Sequence, residues 1–324
     1  MPEALKGGVD FSIDNCKESD LWWVLNDGEI LKNTAMKQLF EIEEDIIKAQ
    51  PFIKWVGGKR TLAARLTEMM PEKFNNYFEP FIGGGAFLFH LYSEGILDNR
   101  KKSIFDINSE LINTYNVVKN NPDELIDNLK EYKAKHDKDF YYEIRLLDRQ
   151  EGFKESDEVL RATRFIYLNK TCFNGLYRVN KSGYFNVPIG SYKNPNIADE
   201  NVILNASKAL EDVDIHNSSY NKVLESAKKG DLVYFDPPYY PLNRTSNFTS
   251  YSENEFLEKE QEELLEIFNK LTQKGVFVML SNSDTDYIKG LYKNYDINIV
   301  DMNRFINSKA NGRGKVTEIV VRSW

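Results

Sequence analysis

The chain has 324 residues, with 42 lysines and arginines against 50 aspartates and glutamates, and a formal net charge of −8. This length accommodates one large domain or two smaller ones, and no apolar run is long enough to cross a bilayer. The two cysteines and three histidines are scattered, which excludes a disulfide framework and predicts no metal site. The N-terminus has no signal-peptide core, so we expect a cytoplasmic protein.

The acidic charge is unevenly distributed along the chain. Residues 1–50 hold 11 acids against 5 bases, which leaves the remaining residues with a net charge of only −2. Between Arg161 and Pro195 there are six bases and no acid, and a second acid-free stretch runs from Asn303 to Thr317. Local positive charge attracts phosphate backbones whatever the total charge, so these stretches favour a nucleic-acid partner over two solvated loops.

Residues 1–50 are interpreted as an N-terminal extension. Apolar residues at spacings of three and four predict a helix from Glu29 to Ala49, which Pro51 ends. Packing on the following domain and contact with a partner are both open as roles for this extension.

The segment after Pro51 predicts the opening of a doubly wound sheet, in which helices connect parallel strands. The predicted elements are a helix at 62–70, a strand at 77–82, a glycine loop at 83–85, a helix at 86–94 and a strand at 103–106. The order of strand, glycine loop, helix and strand is the signature on which this interpretation depends.

The remaining elements complete one α/β domain that carries an insertion. Residues 108–170 have helical periodicity, whereas residues 171–197 are irregular and rich in Asn, Gly, Tyr and Pro. The sheet pattern resumes with a strand at 232–235, a helix at 258–272, a strand at 276–280 and a β pair at 297–300 and 316–321. We therefore predict a Rossmann-like α/β domain at 51–120 and 220–324, interrupted by a mostly helical insertion at 121–219.

The glycine loop and a following acid predict where a cofactor binds. Gly83, Gly84 and Gly85 let the backbone approach a ligand at the carboxyl end of the first sheet strand. Asp106 lies 21 residues beyond Gly85, at the end of the next strand, where an acid usually binds ribose hydroxyls. This combination indicates a nucleoside-containing cofactor and does not separate a dinucleotide from S-adenosylmethionine.

The tetrapeptide Asp236-Pro237-Pro238-Tyr239 follows a buried strand and has the most specific chemistry in the sequence. The Asp236 carboxylate and the Pro237 carbonyl can accept hydrogen bonds from an exocyclic amine, while Tyr239 offers a face on which a base can stack. Methyl transfer to an aromatic amine needs such a group and hydride transfer does not, so the tetrapeptide favours S-adenosylmethionine. A base within a duplex must be flipped out to reach this site.

A third element, FIKWVGGK, runs from Phe52 to Lys59. Trp55 can form the wall of a pocket and Lys59 can bind a carboxylate, although a simple turn before a helix has the same residues. Together with YFEPFIGGG, FDIN, NGLYRVN, FNVPIGSYKNP, FDPPY and FTSY, in this order, the element resembles the Dam family of DNA adenine methyltransferases. The resemblance covers residues 51–324 and leaves residues 1–50 unmatched.

The resemblance implies an S-adenosylmethionine-dependent methyltransferase fold that releases S-adenosylhomocysteine. The residues expected to bind the donor are Trp55, Gly57, Lys59, Glu79, Phe81, Gly83, Gly85, Asp106 and Asp236. The residues expected to surround the flipped adenine as catalytic groups are Asp236, Pro237 and Tyr239. The resemblance also implies that the insertion at 121–219 is a target-recognition domain that binds duplex DNA.

Family members that act on GATC are the most similar to this chain in the recognition region. By this likeness Arg178 reads a guanine in the major groove, Phe173 inserts beside the flipped base and Lys54 touches another guanine edge. The residues expected to complete the base-reading surface are Asn174, Leu176, Asn180 and Pro188. Burial in the core is the alternative for Phe173 and Leu176.

The sequence therefore predicts an adenine-specific DNA methyltransferase that acts on GATC by base flipping, in a restriction–modification or a housekeeping role. The alternatives are a methyltransferase for cytosine or another amine, and an inactive sequence-specific DNA-binding protein. An aspartate rather than a serine at the start of the tetrapeptide favours adenine, and the intact site residues argue against inactivity. We expect a monomer by default, encoded by a prokaryote or a phage.

Overall fold

A computed structural model of the protein describes residues 22–25, 29–32, 48–241, 256–303 and 315–324. The chain divides into two compact units, Met1–Ile47 and Lys48–Trp324. In the first unit, strands β1 (Trp22–Leu25) and β2 (Glu29–Lys32) form an antiparallel pair. Among the described helices, none combines the length and the apolar character that a bilayer crossing requires.

The β1–β2 pair shows that the helix predicted from Glu29 is wrong at its start. Over four residues, an apolar position fits a helical spacing and a strand alternation equally well, and the antiparallel partner decides between them. Residues 33–47 of the predicted helix lie outside the described residues, and residues 48–50 are not helical.

The second unit is built on a sheet of seven strands in the part of the chain that the structure describes, with the order β5-β4-β3-β6-β7-β9-β8. The strands are β3 (Tyr77–Pro80), β4 (Lys102–Asp106), β5 (Val213–Asn217), β6 (Leu232–Phe235), β7 (Phe277–Ser283), β8 (Asp296–Asn303) and β9 (Lys315–Arg322). The five neighbouring strands β5, β4, β3, β6 and β7 are parallel to one another, whereas β9 runs antiparallel to both β7 and β8.

Helices connect these strands and form the insertion between β4 and β5. The α-helices are α1 (Ala63–Glu68), α2 (Ala86–Ser93), α3 (Ser109–Asn120), α4 (Pro122–Ala134), α5 (Lys138–Leu146), α6 (Glu158–Thr171), α7 (Glu200–Leu210), α8 (Val223–Ser226), α9 (Glu258–Gln273) and α10 (Asp286–Leu291). Residues 172–199 contain a single 3-10 turn, Phe173–Gly175, and two isolated β-bridges. The predicted helical and irregular parts of the insertion are therefore confirmed.

Strand β6 shows why the sheet was readable from the sequence. Leu232 and Tyr234 belong to the apolar cluster on one face of the sheet, whereas Val233 and Phe235 belong to the cluster on the other face. A parallel strand covered on both faces reads as a continuous apolar run, which is how this strand was identified. The Rossmann-like α/β fold class is confirmed, as is the C-terminal β pair.

Strand β5 was missed by the sequence analysis. It pairs in parallel with β4 at the outer edge of the sheet, although it lies within the predicted insertion at 121–219. Its sequence, VDIHN, has only two apolar residues, and an edge strand needs no more because one long side has no neighbouring strand. The sheet therefore includes Val213–Asn217, earlier than the predicted boundary at residue 220.

The topology places the strand ends where a ligand can reach them. From β3 the chain proceeds outward to β4 and β5, and from β6 it proceeds in the opposite direction to β7. In doubly wound sheets, ligands bind beyond the carboxyl ends of the strands at such a reversal. The glycine loop follows β3 and the tetrapeptide Asp236–Tyr239 follows β6, so both lie on this reversal.

The glycine loop is closely packed as well as left-handed. Gly85 has a φ of 67°, and a Cβ atom built on it would lie 2.6 Å from the Tyr115 hydroxyl oxygen. Gly152 has a φ of 77° but no atom within 4 Å of the same position. The two glycines therefore separate the cost of backbone strain from that of a steric clash.

We predict that Gly85→Ala lowers the free energy of unfolding by more than Gly152→Ala does. The left-handed backbone costs both variants about 1–2 kcal/mol, and the clash with Tyr115 adds about 1–3 kcal/mol in Gly85→Ala alone. Urea unfolding measures both costs. In a Tyr115→Phe background, which lacks the clashing hydroxyl, Gly85→Ala should cost less; equal costs in the two backgrounds would show that the loop relaxes without strain.

Candidate functional site

Three acidic strand ends define the candidate site. Glu79 lies in β3, Asp106 is the last residue of β4, and Asp236 directly follows β6. These strands are adjacent and parallel in the order β4-β3-β6, so the three carboxyls lie toward the same edge of the sheet. The structure thus brings together residues that are separated by up to 157 positions in the sequence.

An ion pair joins the segment Phe52–Lys59 to the tetrapeptide Asp236–Tyr239. Lys59 Nζ lies 2.8 Å from Asp236 Oδ1, and the exposed fractions of the two side chains are 3% and 20%. The same amine donates a hydrogen bond of 2.6 Å to the Gly57 carbonyl. Burial raises the pKa of Asp236 to about 6, against the lowering effect of the Lys59 charge. The carboxylate is therefore ionised at neutral pH and already has a positively charged partner.

The backbone of the tetrapeptide is fixed by amide side chains from two neighbouring elements. Gln261 Nε2, on α9, donates to the Pro238 carbonyl at 3.2 Å. Asn282, on β7, accepts from the Tyr240 amide at 3.2 Å and donates to Gln261 Oε1 at 3.0 Å. Gln261 and Asn282 are fully buried. Since prolines remove two backbone donors here, these amides hold the segment where a sheet ladder does not.

The Tyr239 ring is held at its hydroxyl and faces a cation. Its hydroxyl donates a hydrogen bond of 2.7 Å to Glu318 Oε2, on β9. Lys59 Nζ lies 4.6 Å from the centroid of the ring, within the range of a cation–π contact. The aromatic ring, Lys59 and Asp236 consequently form one contiguous group.

Asp106 and the glycine loop contact each other in the folded protein. Asp106 Oδ2 accepts a hydrogen bond of 3.3 Å from the Gly83 amide, and Oδ1 accepts one of 2.9 Å from the Asn108 amide. Burial raises the pKa of Asp106 to about 6. The Tyr115 hydroxyl donates to the Gly83 carbonyl at 3.0 Å, which fixes the loop from the side of α3.

Glu79 is a buried carboxyl with a buried hydroxyl partner. The Tyr77 hydroxyl donates a hydrogen bond of 2.7 Å to Glu79 Oε2. Burial raises the pKa of Glu79 to about 8; the Tyr77 hydrogen bond opposes this rise and the Asp236 charge adds to it. At neutral pH this side chain is therefore largely protonated, unlike Asp236 beside it.

Phe81 adopts a strained backbone conformation directly after β3, with a φ of 71°. Its ring stacks on Tyr220 with a centroid distance of 4.8 Å and meets Phe256 edge-on at 5.6 Å. A non-glycine residue with positive φ is uncommon and is found most often where the surrounding structure requires it, as at binding sites. The strain is consistent with the predicted place of Phe81 in a donor pocket.

Trp55 lies between the glycine loop and residues 173–188, the segment predicted to read DNA, which we term the recognition region. A Cβ atom on Gly83 would lie 2.7 Å from Trp55 Cδ1, so the indole packs directly against the loop. On its other side the indole stacks on Tyr177 at a centroid distance of 5.9 Å. Gly57, two residues further, is exposed and has a φ of 80°. Trp55 is therefore a wall that the predicted donor and recognition regions share.

Residues 178–186 form a hairpin, which we term the 178–186 hairpin. Asn186 donates its amide to the Arg178 carbonyl at 3.1 Å, and its Oδ1 accepts from Arg178 Nε at 2.7 Å. The latter bond orients the guanidinium and leaves its two terminal NH2 groups, which a bidentate guanine contact can use. Asn180 Oδ1 accepts from the Ser182 and Tyr184 amides, both at 3.0 Å, so this oxygen stabilises the turn and is not directed at a base.

The other residues predicted to contact DNA lie close to one another. Phe173 is half exposed, which rules out burial in the core, whereas Leu176 is partly buried against the core. The Phe173 amide donates to the Pro188 carbonyl at 2.9 Å, and both Asn174 and Pro188 are exposed. A Cβ atom on Gly175 would lie 2.5 Å from Lys54 Cδ, which shows how tightly Lys54 packs on this turn.

The backbone after the hairpin turn is anchored to the helices of the insertion. Asp148 Oδ2 accepts from the Phe185 amide at 2.7 Å, and an Arg149 NH2 group donates to the Phe185 carbonyl at 2.9 Å. The Tyr141 hydroxyl donates to the Val187 carbonyl at 2.9 Å. All three bonds end on backbone atoms of the recognition region.

The acid-free stretch from Arg161 to Pro195 is less basic in the folded protein than in the sequence. Arg161 pairs with Glu110, and Arg164 lies 2.8 Å from Asp148 Oδ2 with only 6% of its side chain exposed. Both arginines lie on α6, whose acidic partners come from other elements. The interpretation of these two residues as part of a DNA-facing patch is therefore wrong. The second acid-free stretch lies almost wholly outside the described residues.

Several residues of the site gave no usable signal in the sequence. Tyr77 and Tyr115 read as core aromatics, and Glu318 read as an ordinary residue of a β pair. Asn169 is buried and donates from Nδ2 to the carbonyls of Lys54 at 2.8 Å and Gly175 at 3.1 Å. Its helix also carries Arg161, Arg164 and Lys170, so the polar residue did not stand out in the sequence. Within the described ranges, no group of three or more His, Cys, Asp or Glu side chains could hold a metal ion.

Comparison with known proteins extends over most of the chain. Residues 55–306 match the family described as D12 class N6 adenine-specific DNA methyltransferase. The chain is 43% identical over 285 residues to the Type II methyltransferase M1.LlaDCHI of Lactococcus lactis subsp. cremoris, covering 87% of this chain and 98% of the relative. It is 42% identical over 280 residues to the Type II methyltransferase M.MjaIII of Methanocaldococcus jannaschii, covering 82% and 96%. It is 34% identical over 275 residues to the DNA adenine methylase of Escherichia coli K12, covering 84% and 95%.

We predict that Glu79→Gln changes how stability depends on pH. Because the folded pKa of Glu79, about 8, lies above the unfolded value of 4.5, the folded protein binds an extra proton between these values. The free energy of unfolding that this group contributes is therefore fully present below pH 4.5 and is lost as the pH rises to 8, at no more than about 1.4 kcal/mol per pH unit.

Urea unfolding between pH 6 and 8 measures this effect, because Asp106 and Asp236, with pKa values of about 6, contribute mainly below that range. The difference in stability between wild type and Glu79→Gln should shift in favour of the variant as the pH rises. Glu94→Gln, a change of an exposed glutamate, is the control. A difference that stays constant across this range would contradict the prediction.

Proposed function

This chain belongs to the D12 class N6 adenine-specific DNA methyltransferases, and we propose that it methylates the exocyclic amine of adenine within GATC after flipping the base. Membership of the family makes the chain an adenine-specific DNA methyltransferase with DNA as its substrate. The proposal adds the donor, the target sequence and the residues that bind each. The contiguous group of Lys59, Asp236 and Tyr239 at the sheet reversal is the observation that carries it.

S-adenosylmethionine is the donor that we assign to the glycine-loop side of the site. The absence of side chains at Gly83 and Gly85 and the acceptor atoms of Asp106 suit an adenosine, while Lys59 suits a carboxylate. The other residues that we place around the donor are Trp55, Gly57, Glu79, Phe81 and Asp236. Bound there, the donor would supply an activated methyl group on a sulfonium.

The residues Asp236, Pro237 and Tyr239 are assigned to the amine that receives the methyl group. Its lone pair is delocalised into the ring, and hydrogen bonds to Asp236 Oδ and to the Pro237 carbonyl favour the pyramidal nitrogen that can react. Because Asp236 is already paired with Lys59, it is ionised and oriented before the base arrives. Catalysis then rests on positioning and electrostatics, without a covalent intermediate on the protein.

We assign target recognition to residues 173–188, which lie in the insertion, and to Lys54, which packs against them. Arg178 is exposed and oriented by Asn186, as a guanine contact in the major groove requires. Phe173 is half exposed, which suits insertion between base pairs. GATC is proposed because this segment is similar in sequence to family members that act on GATC.

We predict that the protein transfers labelled methyl groups from S-adenosylmethionine to duplexes that contain GATC. A matched duplex with GTTC, which has GAAC on the other strand, lacks the palindromic site, and a duplex with N6-methyladenine in both strands of GATC lacks an unmethylated target amine, so both should remain unlabelled. Asp236→Asn is the inactive control, because the amide has no charge to pair with Lys59. Equal labelling of the matched duplexes would contradict the target sequence, and no labelling of any DNA would contradict the proposed activity.

We predict that Arg178→Ala reduces discrimination between GATC and sites in which one G·C pair is replaced. Loss of a bidentate guanine contact should cost about 1–3 kcal/mol of preference, measured as the ratio of kcat/KM values for methyl transfer. Lys181→Ala, which removes an exposed basic side chain from the same hairpin, is the matched control and should weaken binding to all duplexes alike. An unchanged ratio in Arg178→Ala would show that this arginine reads no base.

A further inference from the structure

Glu318 contacts the site from a strand that the proposed reaction does not otherwise use. It lies on β9, opposite Ser283 of β7 and Val300 of β8, and its Oε2 accepts the hydrogen bond of 2.7 Å from the Tyr239 hydroxyl. The two residues are 79 positions apart in the chain. A partly exposed carboxylate on an interior strand of the sheet thus reaches the ring on which the base is proposed to stack.

The strand itself does not need this side chain. Strand β9 pairs with β8 along its whole length and with β7 from Glu318 to Arg322, so Glu318 is paired with both strands. The tetrapeptide backbone is also fixed without Glu318, since Gln261 holds the Pro238 carbonyl and Asn282 holds the Tyr240 amide. The contacts to the tetrapeptide backbone do not hold the phenol ring, whose hydroxyl the Glu318 carboxylate holds beside Asp236 and Lys59.

A tyrosine ring turns about two side-chain bonds. A fixed hydroxyl oxygen restrains rotation about the first bond, and because a phenolic O–H prefers to lie in the ring plane, the direction of its hydrogen bond restrains rotation about the second. In this site Lys59 Nζ lies over the ring, 4.6 Å from its centroid, so the cation occupies one of the two ring faces. Stacking on a base requires a ring plane that is set before the base arrives, because stacking energy falls off when the planes are tilted or displaced. A hydrogen bond to a carboxylate is stronger than one to a neutral acceptor and suits this restraint.

We propose that Glu318 is a positioning residue of the methyl-transfer site, which holds Tyr239 so that its ring is ready to stack on the flipped adenine. The inference rests on the proposed function, in which Tyr239 receives the base. Glu318 acts through Tyr239 and touches neither the base nor the donor.

The variants that test this inference are Glu318→Ala, Glu318→Gln, Tyr239→Phe and the double variant Tyr239→Phe with Glu318→Ala. Glu318→Gln keeps an oxygen that can accept from the Tyr239 hydroxyl, so it should retain most of the activity. Glu318→Ala and Tyr239→Phe each remove the bond and should lower kcat about 10- to 100-fold. The double variant should be no worse than either single variant, because both remove one interaction.

Two further measurements separate positioning from a general structural role. The fluorescence of a duplex with 2-aminopurine at the target position depends on flipping and on stacking against Tyr239, and it should differ from wild type in Glu318→Ala while the Kd for S-adenosylmethionine and the Tm stay within about twofold and a few degrees of wild type. Glu258→Ala is the matched control, since Glu258 Oε1 accepts the hydroxyl of the neighbouring Tyr240 at 2.9 Å, and it should leave both kcat and fluorescence unchanged.

Wild-type kcat and fluorescence in Glu318→Ala would overturn the inference, as would equal losses in Glu318→Gln and Glu318→Ala, or strictly additive losses in the double variant. These results require a wild-type protein that transfers methyl groups. Failure of the wild type to methylate any duplex would overturn the proposed function, and the inference with it, and is therefore distinguishable from failure of Glu318 alone.

Discussion

The ion pair between Lys59 and Asp236 is the contact on which the arrangement of the site depends. The buried Lys59 amine and the partly buried Asp236 carboxylate both lose hydration, and each is the other's charged partner, so removal of either leaves an unpaired charge. The 2.8 Å contact fixes the segment after Trp55 to the end of β6. Lys59 Nζ also lies over the Tyr239 ring. The proposed donor and acceptor sides of the site therefore both depend on this one pair of charges.

The sheet topology creates the electrostatic environment of this pair. Because β4, β3 and β6 are adjacent and parallel, their ends place three carboxyls in a largely dry region, and burial raises the pKa of each above its usual value. Such a region favours a ligand with a positive charge, since that charge lowers the cost of ionising the carboxyls. The sulfonium of the proposed donor has this charge, and the exocyclic amine gains positive charge as it reacts.

The sequence was sufficient for elements whose pattern is set by burial, such as β6 with both faces covered, and it placed Asp236–Tyr239 directly after that strand. It was insufficient where partners decide. The strand at Glu29–Lys32 depends on pairing with β1, the polar edge strand β5 on its place beside β4, and the role of Glu318 on a contact across 79 residues. Arg164 likewise was interpreted as a DNA-facing basic residue, because its ion-pair partner Asp148 comes from another part of the chain.

The contacts that anchor the recognition region are distinct from the side chains that are proposed to read DNA. Asp148, Arg149 and Tyr141 bind backbone atoms of Phe185 and Val187, and backbone atoms are the same whatever side chains the segment carries. Substitutions on the outward side of the 178–186 hairpin therefore leave its attachment in place. Under the proposed function, target preference in this scaffold can thus diverge during evolution without a loss of folding, and libraries randomised at outward positions of the hairpin are a practical source of enzymes with new target sequences.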